Sequence, residues 1–85
     1  LPNIEVYPNP FRNYIIVTKA NFIVAYRLVN MFGEVVRQAF HNGASSTLRI
    51  DTQDLREGSY VLQIEIYKYY KPLSFRLIKK DLLGK

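Results

Sequence analysis

The sequence predicts an all-β fold, a seven-stranded antiparallel β-sandwich of the immunoglobulin-like kind. Three observations carry this expectation. Apolar and polar residues alternate with a period of two along most of the chain. Turn-forming residues interrupt the alternation about every 8–12 positions. No segment carries the helical stripe of apolar residues at i, i+3, i+4 and i+7. With 85 residues and no internal linker or repeat, residues 1–85 read as one domain, the sandwich over 4–80 and a short tail over 81–85. This is close to the smallest size at which a hydrophobic core suffices unaided.

The first expected strand, Ile4–Tyr7, runs into "VYPNPFRN" at 6–13. Pro8 and Pro10 fix φ and remove two amide donors, so neither can sit in a central ladder. Tyr7 and Asn9 precede prolines and are pushed towards extended backbone. The stretch therefore predicts a stiff corner between one sheet edge and another. Tyr14–Thr18 and Ile23–Asn30 follow as strands, separated by a turn at "KAN". A reversal at "MFG" leads to Glu34–His41, with Gly33 supplying the positive φ that glycine adopts cheaply. Asn42-Gly43 reads as a tight hairpin pair before Thr47–Asp51. In "DLREGSY", Leu55 is placed to drop into the core, and Gly58 admits the chain to Ser59–Lys68. A turn at "YYKP" precedes Leu73–Lys80.

The alternation also assigns faces. Val24, Tyr26 and Leu28 are expected inward in the third strand. Tyr60, Leu62, Ile64 and Ile66 are expected inward in the sixth. Leu48 and Ile50 in the fifth, with Phe75 and Leu77 in the last, complete a core of about ten large side chains. At roughly 1.5–3 kcal/mol for each one fully buried, they offset the ordering entropy by a small margin.

Composition limits the chemistry. There is no cysteine, hence no disulfide framework and no thiolate chemistry. No apolar run approaches the ~18 residues of a membrane-spanning helix, so no direct membrane insertion is expected. The first residue is Leu1, with no signal-like region behind it, which reads as a piece of a longer precursor. The net charge of +5 is uneven: residues 1–65 hold six basic and six acidic groups, whereas 66–85 hold six basic groups against Asp81 alone. That end suits an anionic partner, or simply an edge strand guarded by lysines.

No catalytic constellation is evident, and no enzymatic role is expected. His41, Ser45, Ser46 and Asp51 contain the letters of a hydrolase triad but lack a nucleophile elbow and an oxyanion-hole glycine pattern. His41 is the only histidine and has no partner for a zinc site. Asp51 and Asp54 lack a calcium loop; Asp51 as the cap of a single helical turn explains them equally. No metal or other cofactor is expected. "YKYYK" at 67–71 suits base or sugar stacking beside a positive charge, yet the basic groups do not line a binding face and no nucleic-acid partner is expected. Cross-strand packing is the simpler reading of Tyr67, Tyr69 and Tyr70.

Four segments, "VYPNPF" at 6–11, "LVNMFGEVV" at 28–36, "LREGSYVLQI" at 55–64 and "FRLIKK" at 75–80, together resemble the C-terminal sorting domain of type IX secretion cargo, type A. That family opens with a Y-P-N-P corner and continues through a D-x-x-G turn and an L-x-x-G-x-Y turn to a basic final strand. The resemblance implies a signal that directs an attached cargo domain through the outer-membrane translocon to the surface or beyond. It implies as partners the translocon, its shuttle and sortase proteins, and the N-terminal cargo of the same precursor, the sortase then removing the domain. Its signature positions fall on Pro8, Asn9 and Pro10 at the corner, Gly33 at the first hairpin, Gly58 and Tyr60 at the second turn, and Arg76, Lys79 and Lys80 on the final strand. Pairing of that strand with the secretion machinery, by its edge or by charge, is the mechanism expected. Asn30 stands where the family has Asp, keeping an acceptor and losing a charge. "DLLGK" at 81–85 runs past the lysine pair. The competing expectation is an immunoglobulin-like accessory module for adhesion or carbohydrate binding.

Overall fold

Five of the seven strands stop within three residues of a proline, a glycine or a left-handed residue that interrupts the extended backbone. In the computed structural model, which describes residues 2–81, the strands are β1 (Val6–Tyr7), β2 (Tyr14–Thr18), β3 (Ile23–Asn30), β4 (Val35–Phe40), β5 (Thr47–Asp51), β6 (Gly58–Ile66) and β7 (Leu73–Lys79). The ends agree with expectation to within two residues, and β2, β3 and β5 agree to the residue. A 3-10 turn at Ala20–Phe22, entered from Lys19 at φ 54°, occupies the "KAN" turn. Leu82 and Leu83 of the expected tail lie outside the described residues.

Two antiparallel sheets result, ordered β1-β2-β5 and β4-β3-β6-β7. Seven strands in two such sheets make the all-β sandwich expected, and an immunoglobulin-like reading is consistent with it. The long axis measures 44 Å. Among the described residues no helix is long and apolar enough to cross a membrane.

The core lies between the sheets. Ile15 and Val17 of β2 and Leu48 and Ile50 of β5 face Leu28, Tyr60, Leu62, Ile64, Ile66 and Leu77. The inward sets of β5 and β6 are those the alternation assigns, and Phe75 packs at the core's margin. Val24 is not inward: the β3–β6 register shifts between Ile23 and Ala25, so Ile23 is buried and Val24 is exposed. A bulge adds one residue and reverses the alternation behind it.

Asn42-Gly43 does not close a hairpin, because β4 and β5 belong to different sheets. The segment crosses between them as an Asx turn, in which Asn42 Oδ1 accepts from the Ala44 amide at 2.9 Å. Gly43 has φ 75°, and a Cβ there would meet the Asn21 carbonyl oxygen at 3.0 Å. Asp51 does not cap a helical turn. It ends β5 with its carboxylate paired to Arg49 at 2.9 Å, and the next turn closes through the Leu55 amide donating to the Thr52 carbonyl. His41 Nε2 lies 3.3 Å from the Ser45 carbonyl oxygen, while the Ser45 hydroxyl donates to the Thr47 carbonyl within its own turn.

Candidate recognition site: the proline corner and the last strand

The chain leaves β1 through Pro8-Asn9-Pro10, with both X-Pro bonds cis, and arrives beside β7 in the other sheet. The two prolines cannot donate to a neighbouring strand. Asn9 supplies what they lack: its Nδ2 donates to the Arg76 carbonyl at 3.2 Å, and its Oδ1 accepts from the Ile78 amide at 3.0 Å. One side chain thus imitates a peptide unit. Backbone pairing then resumes, as the Phe11 amide donates to the Ile78 carbonyl and the Lys80 amide donates to the Phe11 carbonyl. The resulting bridge to Lys79 is parallel, and it joins the two sheets along one side.

Phe11, fully buried, locks this joint from within. Its ring meets that of Tyr60 edge-on at 5.7 Å between centroids. The Tyr60 hydroxyl donates to the Arg56 carbonyl four residues upstream at 2.6 Å, the local geometry of a tyrosine corner in immunoglobulin-like sandwiches. Burial pushes the Tyr60 phenol above its ordinary pKa, with Arg37 and Arg56 offsetting part of the effect. Gly58 has φ 149°, a conformation rarely adopted by residues with side chains, and pairs with Lys79 across the sheet.

Lys79 departs most from expectation. Read in the sequence as part of an exposed basic strand, it is 1% exposed. Its Nζ donates to the Arg12 carbonyl at 2.5 Å and the Thr52 carbonyl at 2.7 Å, and stands 3.6 Å from Asp81 Oδ1. Alternation is the cause: Phe75, Leu77 and Lys79 share the inner face of β7, so the ammonium ends among carbonyls at the end of the core. Thr52, also fully buried, donates its hydroxyl to the same Arg12 carbonyl. The parity of β7 was a sequence signal for Lys79, overridden by its charge. Thr52 carried no signal, because its partners are backbone carbonyls brought together only by the fold.

Arg76 and Lys80 lie on the opposite face from Lys79 and are exposed, with half-exposed Ile78 between them. From Arg76 to Lys80 the outer edge of β7 is occupied by the corner, which corrects the expectation that this edge is open to a further strand. Gly33 lies apart, at the tip of the β3–β4 hairpin with φ 83°. There Asn30 Oδ1 accepts from the amides of Phe32 and Glu34, and Asn30 Nδ2 donates to Glu34 Oε1 at 2.7 Å. The acceptor retained at this position is used twice, and the amide adds a bond that an aspartate could not make. A cleft of about 360 Å³, lined by Asn30, Phe32, Arg56 and Tyr60 among others, sets this hairpin beside the Gly58 turn. Tyr67 and Tyr70 do not pack across strands; they are 67% and 89% exposed.

A search of curated proteins finds no match. The family model of the secretion system C-terminal sorting domain matches residues 5–79, from the approach to the proline corner to the buried lysine. The chain belongs to that family, the C-terminal sorting signal of type IX secretion cargo.

Proposed function

We propose that the type IX translocon and its shuttle read this signal in folded form, through the surface where the proline corner lies against β7. Pro8, Asn9 and Pro10 set the shape of that surface, and Arg76 and Lys80 supply its charge. Gly58, Tyr60 and Lys79 hold it in place and are not contacted, and Gly33 shapes the separate β3–β4 hairpin. The domain performs no catalysis; after export a sortase separates it from the N-terminal cargo of the same precursor. The observation that supports this reading most directly is the splice of the Asn9 amide between the Arg76 carbonyl and the Ile78 amide. It makes the corner and the basic strand one rigid unit, so a partner can recognise both at once. Because that splice occupies the strand edge, recognition proceeds by shape and charge complementarity rather than strand addition.

The test is export of a periplasm-directed reporter fused to residues 1–80 or 1–85, in cells with a working or a disabled translocon. Surface or secreted reporter is expected only with the working translocon. The double charge reversal Arg76→Glu/Lys80→Glu is expected to trap a folded, soluble reporter in the periplasm. Undiminished export of that variant would overturn the proposed surface. Reporter that reaches the surface without losing the domain's mass would overturn the sortase step.

A further inference from the structure

The outer face of the four-stranded sheet carries a second concave feature, remote from the corner. Directly opposed residues in an antiparallel sheet point to the same side, so the register places outer side chains in ranks across strands. One rank is Gln38, Arg27 and Gln63; the next, towards the β6–β7 turn, is Phe40, Ala25 and Glu65. Ala25 is too short to fill the space between Phe40 and Glu65. The result is a groove of about 570 Å³ lined by these six residues among others, within the range of about 300–1,000 Å³ typical of small-ligand sites.

We infer that this groove binds a neutral oligosaccharide. A pyranose ring presents an apolar face of C–H groups and a girdle of hydroxyls, each both donor and acceptor. Its complement is an aromatic ring beside planar polar groups that engage neighbouring hydroxyls in pairs. The groove has both. Phe40 is 89% exposed and adds nothing to the core. Two amides, a guanidinium and a carboxylate line the groove between β4 and β6 beside it. Arg27 Nε donates to Gln63 Oε1 at 2.9 Å, which orients both groups and leaves the Gln63 NH₂ and the outer guanidinium nitrogens as donors. Gln38 and Glu65 are exposed and complete the set with an amide and an acceptor. Arg27 and Glu65 cancel in charge, so the groove's own lining suits a neutral ligand, and the nearest basic residues of the β6–β7 turn, Lys68 and Lys71, are not among the residues that line it. The nearby tyrosines make a poorer platform: the rings of Tyr69 and Tyr70 are inclined at 39° to each other.

The inference stands apart from the sorting role, and the fate of the reporter experiment leaves it untouched. It is tested by amide NMR on the 15N-labelled chain. The chain is titrated with neutral oligomers of glucose (β-1,4, β-1,3 and α-1,4), mannose and N-acetylglucosamine, with a uronic-acid oligomer and with anionic lipid vesicles. Saturable shifts at Ala25, Arg27, Gln38, Phe40, Gln63 and Glu65 with at least one neutral oligomer are expected. Phe40→Ala and Gln38→Ala should each weaken that binding by about tenfold or more while keeping a dispersed spectrum, since both residues are exposed. Absence of saturable shifts with every neutral oligomer, or unchanged binding in both variants, would overturn the inference. So would a response confined to the uronic acid, to vesicles or to protein concentration, the last marking contact between copies through the edge of β4.

Discussion

The sandwich is closed on its two long sides by different means. On one side the proline corner leaves the β1 edge and zips onto β7 through backbone bonds, the Asn9 amide and the buried Lys79. On the other, β4 and β5 are clasped by one side chain: Arg37 Nε donates to the Asp51 carbonyl at 3.0 Å, while its Nη2 pairs with Asp54. The first closure is continuous and, at Lys79, shielded from water; the second rests on a guanidinium whose Asp54 partner is 71% exposed. A shielded polar joint is costly to break because the groups left behind cannot turn to solvent, whereas an exposed clasp gives way to water at little cost. The rigid side is also the side that carries the surface proposed for recognition.

This contrast predicts an order of sensitivities. Lys79→Ala takes the charged donor from two carbonyls, leaving the Arg12 carbonyl with the Thr52 hydroxyl and the Thr52 carbonyl with the Leu55 amide. It also opens a void at a buried position, so a loss of about 2–5 kcal/mol is expected in chemical denaturation. That is a large part of the ~5–10 kcal/mol expected for a domain of this size. Lys79→Met, which restores the stem but not the donor, should recover less than half of the loss; full recovery would make the joint a matter of packing alone. Asn9→Ala removes both splice bonds at an exposed position and is expected to cost about 1–2 kcal/mol, with increased amide exchange at Ile78 as its local signature.

Tyr60→Phe removes only the hydroxyl bond, for about 0.5–1.5 kcal/mol, and it also tests the pH dependence. Burial holds the Tyr60 and Tyr26 phenols above their ordinary value of 10.0 in the folded chain. The unfolded chain therefore releases those protons first, and stability, fully present below pH 10, falls as pH rises through the folded values. The alkaline fall in melting temperature should be shallower in Tyr60→Phe. Arg37→Ala, on the clasped side, is expected to cost at most about 1 kcal/mol, and less in high salt. A loss as large as that of Lys79→Ala would abolish the distinction between the two sides.

Much of the architecture is legible in the sequence. Period-two alternation placed the strands, and the core residues of β5 and β6, because a pleated strand with one buried face leaves its side chains no other arrangement. The prolines marked the corner because they lack donors, and Gly33 marked its turn because only glycine enters that φ cheaply. The site was half legible. Pro8, Asn9, Pro10, Arg76 and Lys80 meet where the sequence could only set them side by side as motifs. Lys79 has the charge of a surface residue, yet its place in the alternation sets it inward.

By itself, then, the sequence determined the local conformations and the apolar face of most strands, since those follow from neighbours one or two residues away. Only the tertiary structure decided which sheet each strand joins, and so made Asn42-Gly43 a crossing rather than a hairpin. It also decided that a bulge turns Val24 outward. It decided as well that the carbonyls of Arg12 and Thr52, 40 residues apart, converge on the lysine of β7. A buried cation is tolerated only where acceptors already wait, and no local pattern announces where distant backbone will place them.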